Sequence, residues 1–340
     1  MAWLSGWAKR VKLTIDQNDV DDALSNFPIL VYLSTSSGHN SNDVSFVFDE
    51  LTQDANRKKI AVTTSDGETE CYVEIEKWDD ANEQAWLWVK VPSVASSADT
   101  DLYLYYDADH ADNDAYVGDP NSTPAESVWD TNFKFVSHMQ DDPDTSHIRD
   151  STGNNNDGSK KAANVPNEVA GKIADAQDFS GYLVNEDYID VSIVSASGAH
   201  SVAMWVYRDT ASNHYIFDAR LDSGIGYCYQ PAAGVLTPSS GTVYADGVAT
   251  TTLGTGAWHY VVVNNITLDL KSTMRLALRF VPSGDYCLDG KEDEVRISNT
   301  ARTVAWIKAS YESERDDLLD WGSEELAVVA KPFSHGYIIE

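Results

Sequence analysis

Asp289-Gly290-Lys291-Glu292-Asp293-Glu294-Val295-Arg296-Ile297-Ser298 decides the fold of this 340-residue chain. Asp-Gly is a turn pair, because glycine adopts backbone conformations that a Cβ disfavours. After it the side chains run acidic, apolar, basic, apolar. Such period-two alternation belongs to a strand with one face on a core. The stretch therefore reads as a tight turn feeding a late strand of a β-sandwich.

Similar alternation fills both halves of the sequence. Val11, Leu13 and Ile15 alternate with polar residues, and Phe27-Pro28-Ile29-Leu30-Val31-Tyr32-Leu33 reads as a buried strand entered through proline. Trp86, Trp88 and Lys90 face one way, and Leu87, Val89 and Val91 the other. Leu102, Leu104 and Tyr106 alternate with Tyr103 and Tyr105. Clusters of Asn, Asp, Gly and Ser break these runs, which is the pattern of an antiparallel β domain. Further strands are predicted at 188–193, 201–207, 215–219, 258–264, 274–281 and 293–297, suited to a large two-sheet sandwich. Val304, Ile307, Tyr311 and Leu318 recur near helical spacing and predict one late short helix on the sandwich edge, capped by Thr303 or Thr300. The expected organisation is all-β. It has a sandwich over 1–107, an acidic linker over 108–126, a second sandwich over 127–323 and a tail over 324–340.

Composition bounds the function. The net charge is −30, from 54 acidic and 24 basic residues. Such a surface repels phosphate backbones, so nucleic acid is not an expected partner. No apolar run is long enough to predict a membrane-spanning helix. The opening residues, with Lys9-Arg10 after the apolar ones, lack the layout of a signal peptide. The expectation is retention in the cell of synthesis or release without general secretion, as in virion assembly and lysis. Cys71, Cys228 and Cys287 are too few for a disulfide scaffold. They are expected as buried thiols, with a Cys228–Cys287 pairing left open.

Two motif sets resemble known families. Lys12-Leu13-Thr14-Ile15-Asp16, Asn26-Phe27-Pro28-Ile29-Leu30-Val31, Val73-Glu74-Ile75-Glu76-Lys77-Trp78-Asp79, Trp88-Val89-Lys90-Val91-Pro92-Ser93 and Leu102-Tyr103-Leu104-Tyr105-Tyr106 together resemble a domain of unknown function that often precedes a laminin-G-like domain. Val128-Trp129-Asp130, the loop 150–158, 171–181, 188–191, 202–207, 258–263 and 293–302 resemble a laminin-G-like, concanavalin A-like lectin/glucanase domain. The resemblance implies a jelly roll of two antiparallel sheets that binds glycans or proteins. It also implies a structural Ca²⁺ with Asp293 as a ligand, and Asp150, Asn155 and Asp157 sit in a loop suited to supply further oxygens. Ser137-His138-Met139-Gln140-Asp141-Asp142 departs from the family's more apolar early strand.

Enzymes of this fold carry E-x-D-x-x-E on one strand, placing two carboxylates for a retaining mechanism. The lone Glu-x-Asp here, Glu314-Arg315-Asp316, falls in the late helix. There is no G-x-S-x-G, H-E-x-x-H or P-loop. The expected protein is therefore not an enzyme. Sugar binding needs aromatic faces beside planar polar groups, and Tyr182, Asn185, Asp187, Tyr215, Tyr227, Tyr229 and Gln230 are the candidates. The functional expectation is a carbohydrate-binding adhesion protein on a virus particle, most simply a phage tail or capsid surface. Its expected partners are glycans or host surface polysaccharide and other virion proteins, with assembly as a homo-oligomer or part of a larger body. Two alternatives stand beside it. One is a purely structural decoration protein; the other is a cell-surface or extracellular accessory module of a polysaccharide-degrading system.

Overall fold

A computed structural model describes residues 2–181, 186–192, 198–220, 224–268, 273–280 and 286–327. The fold is all-β, with two sandwiches packed against each other and a helix at their junction. The first sandwich has a five-stranded sheet ordered Leu319–Leu326, Lys9–Ile15, Thr100–Tyr106, Ile60–Thr64, Glu70–Cys71. Its second sheet is ordered Leu24–Leu33, Gln84–Val94, Val73–Asp79, Val117–Gly118. Val11, Leu13 and Ile15 meet Leu104, Leu102 and Thr100 across the strand pair. The apolar residues of this set join Ile29, Val31, Leu87, Val89 and Ile75 in one core. The opposite face of the second sheet is buried too: Leu30 and Trp88 pack with Trp129, Phe133 and Val136 of the next region. Burial on both faces explains why 27–33 reads as an unbroken apolar run.

The structure differs from the expected division in two places. The segment 108–126 is not a free linker. Val117–Gly118 pairs in parallel with Val73–Asp79, and Thr123–Glu126 is a helical turn with Ala125 fully buried. Its acidic, small-residue composition hid one buried valine. The chain also returns to the first sandwich. Leu319–Leu326 pairs antiparallel with Lys9–Ile15, so the second sandwich is inserted into the first. Lys9 lies 3.6 Å from Glu324 and Arg10 2.8 Å from Glu325, satisfying acidic residues that had read as the start of a tail.

In the second sandwich an inner sheet faces the first sandwich. Its order is Asn167–Ala170, Asp175–Ser180, Asp289–Ser298, Ala199–Arg208, Trp258–Thr267, Thr242–Ala245, with Phe133–Ser137 also on Asp289–Ser298. The outer sheet runs His147–Ile148, Gly158–Lys160, Ile189–Ser192, Thr273–Leu276, His214–Asp218, Tyr227–Gln230, Thr237–Pro238. Between them lie Phe135, Phe179, Val202, Met204, Ile216, Cys228, Val263 and Val295. The three cysteines are free and buried, so Cys228 and Cys287 do not pair. Asp289–Ser298 is a strand as predicted, but its alternation is broken by a bulge. The register slips opposite Ala203 and Trp205, and Glu294 takes a left-handed φ of 50°. Glu292 shares its side of the sheet with core Val206, Asp293 shares the other with Trp205, and all three acidic residues are buried.

The helix Val304–Glu314 is capped by Thr303, whose Oγ1 accepts from Trp306 N. It does not lie on an edge. Ile307 packs on Trp205 and Tyr260 of the inner sheet while Ala305 and Ala309 enter the first core. Beside it three carboxylates each accept an indole N–H: Glu76 from Trp88 at 2.7 Å, Glu74 from Trp129 at 2.6 Å and Glu314 from Trp205 at 2.8 Å. Arg296 donates to Glu294 at 2.8 Å and Glu314 at 2.5 Å, with its guanidinium 4.2 Å from the Trp88 ring.

Gly290 does not form the expected turn but lies within the strand, paired with Phe179 and Arg208. Its φ is 153°, and a Cβ there would lie 2.0 Å from the Tyr207 carbonyl oxygen of the neighbouring strand. Gly290→Ala is expected to destabilise the fold by about 2 kcal/mol or more. In urea unfolding, the midpoint should fall with the slope unchanged.

Candidate functional site

The outer sheet presents one face to the core and one away from it. Ile189, Val191, Met274 and Leu276 point inward, so Tyr188, Asp190 and Arg275 point outward by strand parity. Asp190 and Arg275 are cross-strand partners, and the guanidinium holds the carboxylate with two bonds of 2.7 Å. The Arg275 guanidinium lies 3.8 Å from the Tyr188 ring centre. Arg220 grips Asp218 in the same way, at 2.9 and 2.6 Å, and stacks 4.1 Å from Tyr227 and 4.8 Å from Tyr215. Burial works against the Arg220 charge, but Asp218 outweighs it and holds the group above its ordinary value.

Tyr215 is the centre of an aromatic cluster. Its ring centre is 5.6 Å from Tyr227, 5.1 Å from Tyr229 and 5.9 Å from Tyr286. Burial and its tyrosine neighbours keep Tyr229 above its ordinary pKa, so the phenol stays neutral. The result is a strip of five tyrosines interleaved with Arg220 and Arg275, each neutralised by its own aspartate, and Arg279 lies 5.6 Å from the Tyr286 ring centre. On a chain of net charge −30 it is a locally balanced, aromatic surface.

Tyr215, Tyr227 and Tyr229 are thus brought together. Gln230 is not with them. It is fully buried, faces the core by parity with Cys228, and donates to the Gly234 carbonyl at 2.9 Å. Asp187 is also buried and accepts from Ser180 N and Oγ at 3.0 and 2.6 Å. Tyr182 and Asn185 lie outside the described residues. Sequence reading missed Tyr188, Asp190, Asp218, Arg220, Arg275 and Tyr286. The available signals were the outward parity of Tyr188, Asp190 and Arg275 and the Asp218-Ala219-Arg220 spacing.

The expected calcium ligands do not fit a calcium ion. Asp293 Oδ2 accepts from Lys172 N and Ile173 N at 2.9 Å, and Oδ1 from Glu294 N at 2.7 Å. Asp150 accepts from Val136 N, Thr152 N, Thr152 Oγ1 and Asn156 N, while Asp157 accepts from Asp150 N. Asn155 donates to the Gly153 carbonyl. These oxygens are committed to N–H and O–H donors within two separate segments, whereas Ca²⁺ needs six to eight converging oxygens. The Glu314-Arg315-Asp316 set is likewise no catalytic pair. Glu314 is tied to Arg296 and Trp205, and Asp316 accepts from Gly38 N.

Residues 56–147 match a family described as a domain of unknown function, DUF2341. The match starts in the first sandwich and runs through Phe133–Ser137 of the second. The resemblance over 7–106 is therefore to a unit whose match extends past the expected boundary. No curated protein matches the chain. Among solved structures, domain 4 of AbnA, an extracellular GH43 arabinanase from Geobacillus stearothermophilus in complex with arabinotriose, is 19% identical, with 52% of this chain and 98% of that one covered at a TM-score of 0.33. The binding domain of Paraclostridial Mosquitocidal Protein 1 is 13% identical, with 54% and 52% covered and a TM-score of 0.33. Trypanosoma rangeli sialidase in complex with the inhibitor DANA is 10% identical, with 71% and 44% covered and a TM-score of 0.35.

Behind the aromatic strip, His214 is paired across strands with Gln230 and fully buried. Burial, then the nearby Arg208 charge, push it down to about 3. The unfolded chain takes up this proton near pH 6.5 and the native state does not. Stability is therefore present above that pH and lost as pH falls toward 3, at about 1.4 kcal/mol per unit. His214→Gln is expected to flatten this acid limb, measured by urea unfolding at pH 7, 6, 5 and 4.

Proposed function

We propose that this chain is a non-catalytic glycan-binding protein and that the far face of the outer sheet is its binding surface. The observation that carries this reading is the strip Tyr188, Tyr215, Tyr227, Tyr229 and Tyr286, interleaved with the locked Arg220–Asp218 and Arg275–Asp190 pairs. Aromatic faces suit the C–H side of sugar rings, and their OH groups and the ion pairs suit ring hydroxyls. Pre-paired guanidinium planes spend little entropy on binding. The balanced charge favours neutral over acidic glycans. An open strip suits an extended polysaccharide, such as one on a host surface, rather than a single enclosed sugar.

The carboxylates on this face, Asp190 and Asp218, are both held by arginine, which leaves neither placed as a proton donor. Display on a virus particle, tail or capsid, alone or as a homo-oligomer, is part of the proposal. Repetition on a particle turns weak single sites into strong attachment. A cell-surface setting works by the same physics.

The test is a glycan array spanning bacterial, plant and animal polysaccharides, probed with the tetramerised full chain. Binding to at least one neutral glycan is expected. Tyr227→Ala and Tyr229→Ala should each lose about tenfold in affinity, with unchanged circular dichroism. Silence across the array would refute the reading in favour of a decoration role. Undiminished binding by both variants would remove the site from this face.

A further inference from the structure

Between the two sandwiches three side chains from distant parts of the chain converge. Glu76 comes from Val73–Asp79, His138 follows Phe133–Ser137, and Glu294 sits in the bulge of Asp289–Ser298. His138 Nδ1 is 2.7 Å from Glu294 Oε1 and 3.4 Å from Glu76 Oε2. One donor atom from each of the three lies within 4.8 Å of the others, and among the described residues no other His, Cys, Asp and Glu group meets that criterion. All three are buried, His138 at 5% exposure and Glu294 at 0%.

Two further observations point to a cation site. Glu74 and Glu314 join the same cluster, giving four carboxylates against Arg296 and the imidazole. Glu74 is fully buried, yet its Oε1 has no hydrogen-bond partner, and neither has His138 Nε2. A buried carboxylate oxygen and a buried imidazole nitrogen left without partners are costly. A tetrahedral ion with bonds of about 2.0–2.2 Å holds its ligands about 3.3 Å apart. His138 Nδ1 and Glu76 Oε2 already stand at 3.4 Å, whereas Glu294 Oε1, at 2.7 Å in a hydrogen bond, would move out by about half an ångström. The far imidazole nitrogen lies 3.5 Å from Glu74 Oε2, close to but not in the carboxylate-to-histidine hydrogen bond that orients metal-bound imidazoles. Mixed imidazole and carboxylate donors select a transition ion over calcium. A small cleft lined by Pro120, Ser137, His138 and Gln140 reaches the imidazole.

We propose that Glu76, His138 and Glu294 form a zinc site that ties the first sandwich to the second, with Glu74 holding the His138 ring. On binding, any Nδ1 proton leaves to solvent and its lone pair goes to the metal. The site is independent of the aromatic face and of any glycan.

The experiment uses the full chain, produced without a metal-affinity tag. Elemental analysis should find about one zinc per chain. After chelation, added Co²⁺ should produce the visible absorption of a tetrahedral site, saturating at one equivalent, and Zn²⁺ should abolish it. His138→Gln and Glu294→Gln should remove the absorption, and Glu74→Gln should weaken binding about 10–100-fold. Should the ligand variants not fold, the wild-type titration decides alone. A folded wild-type chain that holds no zinc and gives no cobalt absorption overturns the proposal. Stoichiometric binding that survives both ligand substitutions overturns it equally.

Discussion

The two sandwiches are held in place by one buried guanidinium. Arg296 has left water entirely, which costs several kcal/mol unless its donors and its faces are both satisfied. Glu294 and Glu314 each take one Nη donor, and the Trp88 and Trp129 rings lie over its plane, while its Nε has no hydrogen-bond partner. Trp88 belongs to the first sandwich, Glu294 to the second, and Glu314 to the helix that touches both. No single piece supplies the set, so the ion is stable only when all three are docked. The bulge that turns Glu294 toward Arg296, the buried helix and the twice-covered second sheet are consequences of that requirement.

Strands with one face on a core were legible, because period two shows in any run of five or more residues. That is why 11–15, 86–91, 102–106 and 258–263 read correctly. Val117–Gly118 was not legible, since two residues carry no period. Leu319–Leu326 was hidden by Asp320, Glu324 and Glu325, which face outward on an edge strand. Glu325 finds Arg10 at a separation of 315 positions, and no local pattern reports such a partner. The late helix was legible in existence but not in extent or place: Leu318 lies past its end at Glu314, Val304 is exposed, and the structure buries two stripes where the spacing shows one.

The candidate face was legible in part. Tyr215, Tyr227 and Tyr229 were expected on loops; the structure puts them on strands, where alternation with core residues sets their direction. Parity also removes Gln230, one step out of phase with Tyr229. The arginines read as ordinary surface charge until strand pairing set Arg275 opposite Asp190. The bulge at Glu294 is the other failure. One extra residue in the strand leaves Asp293 facing Trp205 and bonded to the 172–173 backbone rather than to an ion.

The pairing of Lys9–Ile15 with Leu319–Leu326 sets the order in which this protein can form. A ribosome delivers residues in sequence, and domains fold as units as they emerge. The second sandwich lies wholly inside the interval between those two strands, so it has all its strands before the first sandwich does. Until residue 319 is released, Lys9–Ile15 is an open sheet edge, the kind of surface on which chains aggregate. Lys9, Arg10 and Lys12 on that strand keep the waiting edge charged. The last strand is the lock on the first sandwich, and truncation near the C terminus would leave the N-terminal half exposed.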